Sequence, residues 1–461
     1  MPICTLIDTD QTNPESIVDN HIQQLADKRE CLLLVSYPFE QYWLESQPVV
    51  RLLAIYSLSA DGDTVDIEFT VTESSQHLIN SLRSLTAETD FAFPRWCHAQ
   101  SLPVLSPDQP LPLLSLNIPK PWGQEIWYTG IEQRGVAAVG YEAYQASLPY
   151  ILSALPERLC AAQQRSLILL KVLDPLPEEV LGDLYFELHQ EKREVYVVTH
   201  IDKTAWPAGE GGIRFGFNQD KRRSFASEAD FRAGFAEAVK RYEVCRREVD
   251  VLIDAMRVNE GYGLNEPVSA TVLSQWLSNI PDQLAQQEKA LRADMDAFTE
   301  TLPLLVGDVV KVPCLTPHSL QHGVRTVEFQ TPVYERLILS FAQKVLTQQH
   351  WDIESAVELM SLEPEQQQPH LLLYSSEGVK VERIVDFDDF QVQRITLVSG
   401  VEYILPETES YGLLMAIDDG LSIGGGALGP ERAVLLPRAL SVVKLVNTSP
   451  EKITFLLAYP D

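Results

Sequence analysis

The residues best suited to chemistry lie in the stretch ELHQEKREVYVV, residues 187–198. Glu187 and His189 are two positions apart, so on a β-strand their side chains point to the same face. Glu194 lies an odd number of positions further on. Its side chain can point to that face only if the polar residues 190–193, QEKR, interrupt the strand. The stretch therefore predicts either an inward-facing cluster at a break between two strands or a charged, solvated hairpin.

A second stretch, GDVVKVPCLTPHSL at residues 307–320, supports the first of these interpretations. Its pattern indicates a strand that turns sharply at Pro313 and delivers one inward histidine, His318. Nitrogen and oxygen ligands without a thiolate suit a borderline divalent metal, with zinc first and iron, manganese or nickel as alternatives. The alternative is that His318 is an ordinary core histidine. Two such stretches on strand-rich sequence favour one metal site built from Glu187, His189, Glu194 and His318.

The elements around these residues indicate a mainly β protein with four parts. An N-terminal α+β module covers residues 1–112, and a proline-rich stretch at 102–123 is typical of a linker. Short strands with turn residues predict a sandwich or barrel in 113–225 plus 300–362. Ser227, a candidate helix N-cap, opens a helical insertion over 226–299. After the polar linker 363–370, a second β-barrel is predicted over 369–461.

The composition excludes several classes of protein. The net charge of −29 argues against a nucleic-acid or anionic-membrane partner. No run of about 18 apolar residues predicts a membrane-spanning helix, and the first residues do not have the pattern of a signal peptide. The six cysteines are scattered and form no C-x-x-C pair, which fits a reducing compartment. We therefore expect a cytoplasmic protein.

The motifs resemble those of type I mannose-6-phosphate isomerases, which are metal-dependent cupins, over residues 115–461. KPWGQEIWY is similar to the WG segment with which that family opens. LLKVLD followed by ELH resembles its strand leading into Q-x-H, and KRE followed by VYVV resembles its K-x-E. VGDVVKVPCLTPHSL and VEFQTPVYERL are similar to its later segments. The resemblance implies two cupin (RmlC-like jelly-roll) barrels, the second without a metal site.

The resemblance also implies roles for individual residues. The family's metal ligands carry over to Glu187, His189, Glu194 and His318, with glutamate replacing glutamine at the first position. Arg336 then corresponds to its active-site arginine, and Lys192, beside a metal ligand, is a candidate proton shuttle. The alternative for both residues is a solvated or phosphate-positioning side chain. The substrate would be a small phosphorylated sugar, interconverted between aldose and ketose. A second departure is the short connection after His189, which puts the identity of the sugar in question.

Two other functions stay open on the sequence. His189, Glu194 and His318 alone make the two-histidine, one-carboxylate set of Fe(II) oxygenases, although Glu187 would occupy a position that oxygen needs. A sugar-binding or regulatory protein without catalysis is the other. The glutamate in place of glutamine, the short connection and the unexplained N-terminal module favour that alternative.

Overall fold

The computed structural model describes residues 3–25, 30–61, 64–85, 91–161, 165–364, 367 and 369–461. Part of the predicted 363–370 linker lies outside these residues. The strands are β1 (Ile3–Asp8), β2 (Glu30–Glu40), β3 (Val49–Asp61), β4 (Thr64–Glu73), β5 (Leu111–Leu114), β6 (Leu116–Lys120), β7 (Gly123–Trp127), β8 (Ile131–Glu132), β9 (Gly135–Val136), β10 (Ala138–Tyr141), β11 (Tyr144–Ser147), β12 (Leu169–Pro175), β13 (Phe186–Leu188), β14 (Glu194–Ile201), β15 (Gly211–Phe217), β16 (Thr299–Leu304), β17 (Val309–Val312), β18 (His318–Leu320), β19 (Val324–Gln330), β20 (Leu337–Ser340), β21 (Leu371–Ser376), β22 (Val379–Asp386), β23 (Phe390–Leu397), β24 (Glu402–Ile404), β25 (Gly412–Ala416), β26 (Leu421–Ile423), β27 (Gly426–Leu428), β28 (Ala433–Leu436), β29 (Lys444–Asn447) and β30 (Ile453–Pro460).

The helices are fewer and most of the longer ones fall in one region of the chain. They are α1 (Glu15–Gln24), α2 (Gln76–Leu85), α3 (Phe93–Ala99), α4 (Leu148–Ala154), α5 (Pro156–Leu159), α6 (Gln219–Arg223), α7 (Glu228–Asn259), α8 (Ala270–Leu277), α9 (Asp282–Asp296) and α10 (Ile353–Leu359). Among the described residues, none of these helices combines the length and apolar character needed to span a lipid bilayer. The predicted β-rich fold is confirmed, whereas its division into two barrels stays a prediction.

The chain forms two compact units, and the first comprises Met1–Leu116, Trp127–Leu170 and His370–Asp461. Strands β1–β4 make a four-stranded sheet in which only β1 and β2 run parallel. A nine-stranded antiparallel sheet follows the order β11-β10-β5-β28-β25-β30-β23-β22-β21. The domain boundaries predicted from the sequence stay predictions.

The proline-rich stretch predicted as a linker contributes strand β5 to this nine-stranded sheet, and the two compact units divide within it, after Leu116. Its role as a linker stays a prediction. β5 lies between β10 and β28, and Pro112 stands opposite Val434. Proline cannot donate a ladder hydrogen bond, which is why the sequence there does not look like an interior strand. The neighbouring leucines, Leu111 and Leu113, are buried, and their burial stabilises the strand.

The second unit comprises Asn117–Ile126 and Lys171–Pro369 and contains the candidate site. It has a six-stranded sheet, ordered β17-β14-β19-β12-β7-β6, and a five-stranded sheet, ordered β16-β15-β18-β13-β20. One apolar core takes side chains from both sheets, including Tyr196 and Val198 of β14 and Ile213 and Leu320 of β15 and β18. The two sheets therefore share a core, as in a sandwich or barrel.

The helical insertion begins as predicted, because the Ser227 hydroxyl accepts a hydrogen bond from the backbone N–H of Asp230 at 3.1 Å and caps α7. Phe231, Phe235 and Tyr242 recur at helical spacing, and all three are fully buried. Each such side chain stabilises the fold by roughly 1.5–3 kcal/mol. These aromatic side chains pack α7 against the core of the second unit.

Gly123 begins β7 with φ +143°, a conformation that other residues rarely adopt. A Cβ atom at this position would lie 2.2 Å from the backbone oxygen of Asp174 in β12. The glycine of the WG pair is therefore required by the close approach of two backbone segments.

Candidate metal centre

Four side chains predicted as a cluster meet between the two sheets of the second unit. Glu187 of β13 stands directly opposite His318 of β18 in the five-stranded sheet, and His189 follows the end of β13. One ligand atom from each of these three lies within 4.8 Å of the others. Glu194, the first residue of β14, comes from the six-stranded sheet. Its Oε1 lies 3.4 Å from Nε2 of His189, and its Oε2 lies 3.1 Å from Nε2 of His318.

The break between β13 and β14 is what allows the cluster to form. β13 ends at Leu188 and β14 begins at Glu194, so residues 189–193 carry the chain from one sheet to the other. His189, Glu194 and His318 are buried, so the stretch is not a solvated hairpin.

Each histidine is oriented by a backbone carbonyl. Nδ1 of His189 lies 2.9 Å from the oxygen of Glu335, and Nδ1 of His318 lies 3.0 Å from the oxygen of Thr316. A carbonyl can only accept, so each Nδ1 carries a proton and donates it. The Nε2 atoms then face the cluster, which is the arrangement that outer-shell partners impose on metal-binding histidines.

Two polar atoms of the cluster are buried without a hydrogen-bond partner among the described residues. They are Nε2 of His189 and Oε2 of Glu187. An unpaired buried acceptor usually costs about 1–3 kcal/mol. A lone pair on nitrogen and a carboxylate oxygen aimed into one space are the donors that a divalent cation takes.

The charges of the cluster depend on one another. Burial raises the pKa of Glu194, but Lys192, His189 and His318 outweigh burial and hold that pKa well below its usual range. Burial lowers the pKa of His318, yet the hydrogen bond and charge of Glu194 raise it overall. Burial, reinforced by Lys192, keeps the pKa of His189 well below its usual range. Glu194 therefore favours the doubly protonated form of His318, whereas burial and Lys192 favour the neutral form of His189, whose Nε2 keeps a free lone pair.

The two residues predicted to be catalytic lie beside the cluster. Lys192 is buried, and its Nζ is 2.5 Å from Oε1 of Glu194. Nε of Arg336 is 3.8 Å from Oε2 of Glu187, its guanidinium lies over the ring of Tyr185, and it donates to the hydroxyl of Thr347 at 2.9 Å. Burial lowers the pKa of Arg336, but Glu187 and Tyr185 raise it overall. Positive charge thus flanks both carboxylates of the cluster.

The sequence interpretation missed a row of buried charges across the six-stranded sheet. Glu328 of β19 stands opposite Tyr196 of β14, so it shares a face with Glu194. Nζ of Lys171 is 3.3 Å from Glu328, and Nζ of Lys120 is 2.9 Å from Glu125. Burial raises the pKa of Glu328 to about 8, against the lowering effect of Lys171. Burial therefore favours the protonated form of Glu328, and the charge of Lys171 opposes it.

A signal for this row is present in the sequence. Lys171 is the one charged residue in the apolar run LILLKVL, and Glu328 is flanked by Val327 and Phe329. A single charge inside an apolar strand is expensive to bury, so it indicates a partner from a neighbouring strand. Which strand supplies that partner is set by the order of strands in the sheet.

No protein-family model matches the sequence, and no curated protein sequence matches it significantly. Solved structures do match. A mannose 6-phosphate isomerase from Bacillus subtilis superimposes with a TM-score of 0.51, covering 76% of this chain and 99% of that chain at 13% identity. The chain shares its fold with that isomerase.

Two further solved structures resemble the chain less closely. A phosphomannose isomerase mutant from Salmonella typhimurium has a TM-score of 0.48 at 13% identity, covering 76% of this chain and 99% of that chain. A zinc-bound mannose 6-phosphate isomerase has a TM-score of 0.49 at 14% identity, covering 77% of this chain and 100% of that chain.

Proposed function

We propose that the chain is a metal-dependent isomerase that interconverts an aldose and a ketose of one phosphorylated sugar. The observation that carries the proposal is the buried cluster in which both histidines turn Nε2 inward and two donor atoms have no hydrogen-bond partner among the described residues. The shared fold supports the same conclusion. The metal would be divalent, with zinc first and iron, manganese or nickel as alternatives.

The donor set fits such a metal. The ligands would be Glu187, His189, Glu194 and His318, two nitrogens and two carboxylates. Nε2 of His318 lies 3.1 Å from Oε2 of Glu194, so a divalent cation would replace the proton that this carboxylate favours on the ring. When bound, a divalent cation there would polarise a sugar carbonyl and stabilise negative charge on its oxygen.

The residues around the cluster supply what isomerisation requires from the protein. The reaction moves a proton between adjacent carbons, so it needs a base, and it needs an acid for the carbonyl oxygen. Lys192 is within hydrogen-bond reach of a ligand carboxylate and can hold or release a proton there. Glu328, whose pKa burial raises to about 8, is a second proton carrier on the same face. Arg336 contributes fixed positive charge for the anionic sugar.

A binding or regulatory role without catalysis is the second candidate. Both oxygens of Glu194 already have partners, since Lys192 lies at 2.5 Å from Oε1 and the Tyr196 hydroxyl donates to Oε2 at 2.5 Å. A carboxylate with both oxygens bonded in this way would serve a binding site as well as a catalytic site. The Fe(II) oxygenase alternative is weaker. Oε1 of Glu187 lies 3.8 Å from Nε2 of His189, so Glu187 would fill a coordination position that oxygen needs.

The test combines metal analysis with turnover. Protein stripped by a chelator and reloaded with zinc should bind about one metal per chain. It should also convert mannose 6-phosphate to fructose 6-phosphate in a coupled assay, or convert another hexose or pentose phosphate. His318→Ala should lose both metal and turnover, while His350→Ala, at an exposed histidine of the same unit, should keep both.

Two results would contradict the proposal. Wild-type protein that binds no divalent metal after reloading would remove the metal centre. Full metal occupancy with no turnover of any tested sugar phosphate would leave the binding role as the better account.

A further inference from the structure

Three successive residues between His189 and Glu194 are bonded to one carboxylate. Oε1 of Glu335 accepts hydrogen bonds from three successive backbone N–H groups, those of Gln190 at 2.6 Å, Glu191 at 3.0 Å and Lys192 at 3.3 Å. Three N–H groups converging on one oxygen form an anion-binding nest, and here the anion belongs to the protein itself. Bonds to an ionised acceptor are about twice as strong as neutral ones.

Residues beside Glu335 complete this attachment. The backbone N–H of Arg193 donates to the hydroxyl of Thr331 at 3.0 Å, and the backbone N–H of Thr331 donates to the carbonyl of Arg193 at 3.0 Å. All four backbone N–H groups from 190 to 193 are thus bonded to the 331–335 segment. That segment follows β19 of the six-stranded sheet and precedes β20 of the five-stranded sheet.

Glu335 also acts on His189 through its main chain. Its carbonyl accepts from Nδ1 of His189 at 2.9 Å and so fixes the tautomer and ring orientation. The carbonyl of His189 in turn accepts from the backbone N–H of Leu315 at 2.6 Å, three residues before His318. Glu335 is therefore linked to the histidine that precedes the crossing segment and to the backbone of the segment that leads to Glu194.

The crossing segment sets the separation of the candidate ligands. His189 follows a strand of one sheet and Glu194 opens a strand of the other, so the path of only four residues decides whether they face the same point. A ligand displaced by about 1 Å loses much of its contribution, because sites require positions held within about 0.5 Å. Removing the Glu335 carboxylate would leave the backbone N–H groups of residues 190–192 without this acceptor, so the short connection could shift.

We propose that Glu335 is a positioning residue, whose carboxylate clamps residues 190–192 so that His189 and Glu194 meet as ligands of one metal. This inference rests on the proposed metal centre and adds a residue that need not contact the metal. The carboxylate can be removed while the main-chain carbonyl that orients His189 stays. The clamp is therefore separable from the histidine bond by substitution.

The experiment compares Glu335→Ala and Glu335→Gln with wild type, with Glu191→Ala as the matched control. Glu191→Ala removes an exposed carboxylate from the clamped segment itself but leaves its backbone N–H in place. Zinc affinity, measured by competition with a chromogenic chelator, should fall roughly 10–100-fold in Glu335→Ala. Glu335→Gln keeps an accepting oxygen without the charge. Its zinc affinity should therefore lie between those of Glu335→Ala and wild type.

A second readout does not depend on metal. Amide hydrogen exchange of metal-free protein should show slow exchange at 190–192 in wild type and Glu191→Ala, and faster exchange in Glu335→Ala. Equal zinc affinity in Glu335→Ala and wild type would overturn the proposal, and so would equal exchange rates. If wild type binds no zinc, the metal centre fails, and with it the ligand-positioning role. The exchange data would then report only whether the clamp exists.

Discussion

Glu328→Gln should make the protein more resistant to unfolding as the pH rises. Glu328 is 1% exposed, and burial raises its pKa from an ordinary value of 4.5 to about 8. At about 1.4 kcal/mol per pH unit, ionising this buried group costs roughly 5 kcal/mol. Because the pKa is raised on folding, its contribution to stability is fully present below pH 4.5. That contribution is lost as the pH rises towards 8.

Glutamine has the same shape as the protonated carboxyl group and has no proton to lose. The free energy of unfolding of Glu328→Gln should therefore exceed that of wild type by a margin that grows with pH and reaches roughly 3 kcal/mol at pH 7. Lys171 faces an uncharged group in both proteins below pH 8. Its contribution to the free energy of unfolding therefore cancels when the two proteins are compared.

The assay is urea unfolding of chelator-treated protein at pH 5, 6, 7 and 8, followed by tryptophan fluorescence. Glu210→Gln, at an exposed carboxylate of the same unit, serves as the control and should track wild type at every pH. A constant difference between Glu328→Gln and wild type across this range would refute the reasoning, because it would mean that Glu328 is ionised throughout.

Three further changes test the site and the fold. Lys192→Ala should keep the metal and lower kcat roughly 10²–10⁴-fold in the coupled assay, and an unchanged kcat would remove the role given to this lysine. Glu187→Gln removes one negative charge beside the metal, so turnover should rise at equal metal content; loss of the metal would instead show that the carboxylate is needed for binding. Gly123→Ala should lower the free energy of unfolding by roughly 1–3 kcal/mol or more, since its Cβ would meet the backbone of Asp174, and an unchanged urea midpoint would contradict this.

Much of the candidate site could be predicted because its signals are local. A spacing of two residues places Glu187 and His189 on one face of any strand, and four polar residues before Glu194 indicate an interruption. The helix after Ser227 was equally predictable, since the cap and the buried aromatic residues lie within one run of sequence. Such signals need only the geometry of a single strand or helix.

Other features depended on partners far away in the sequence. Lys171 and Glu328 are separated by more than 150 residues, and only the order of strands in the six-stranded sheet brings them together. Strand β5 of the proline-rich stretch pairs with β10 and β28, and no local sequence pattern reveals these partners.

The sequence by itself determined which residues could be ligands, because residue type and strand periodicity are properties of a short segment. The tertiary structure decided that Glu194 meets His318 from the opposite sheet, and that Glu335 clamps the crossing segment. The physical reason is that a contact between sheets depends on how whole layers pack, so its energy is not contained in any one stretch of the chain.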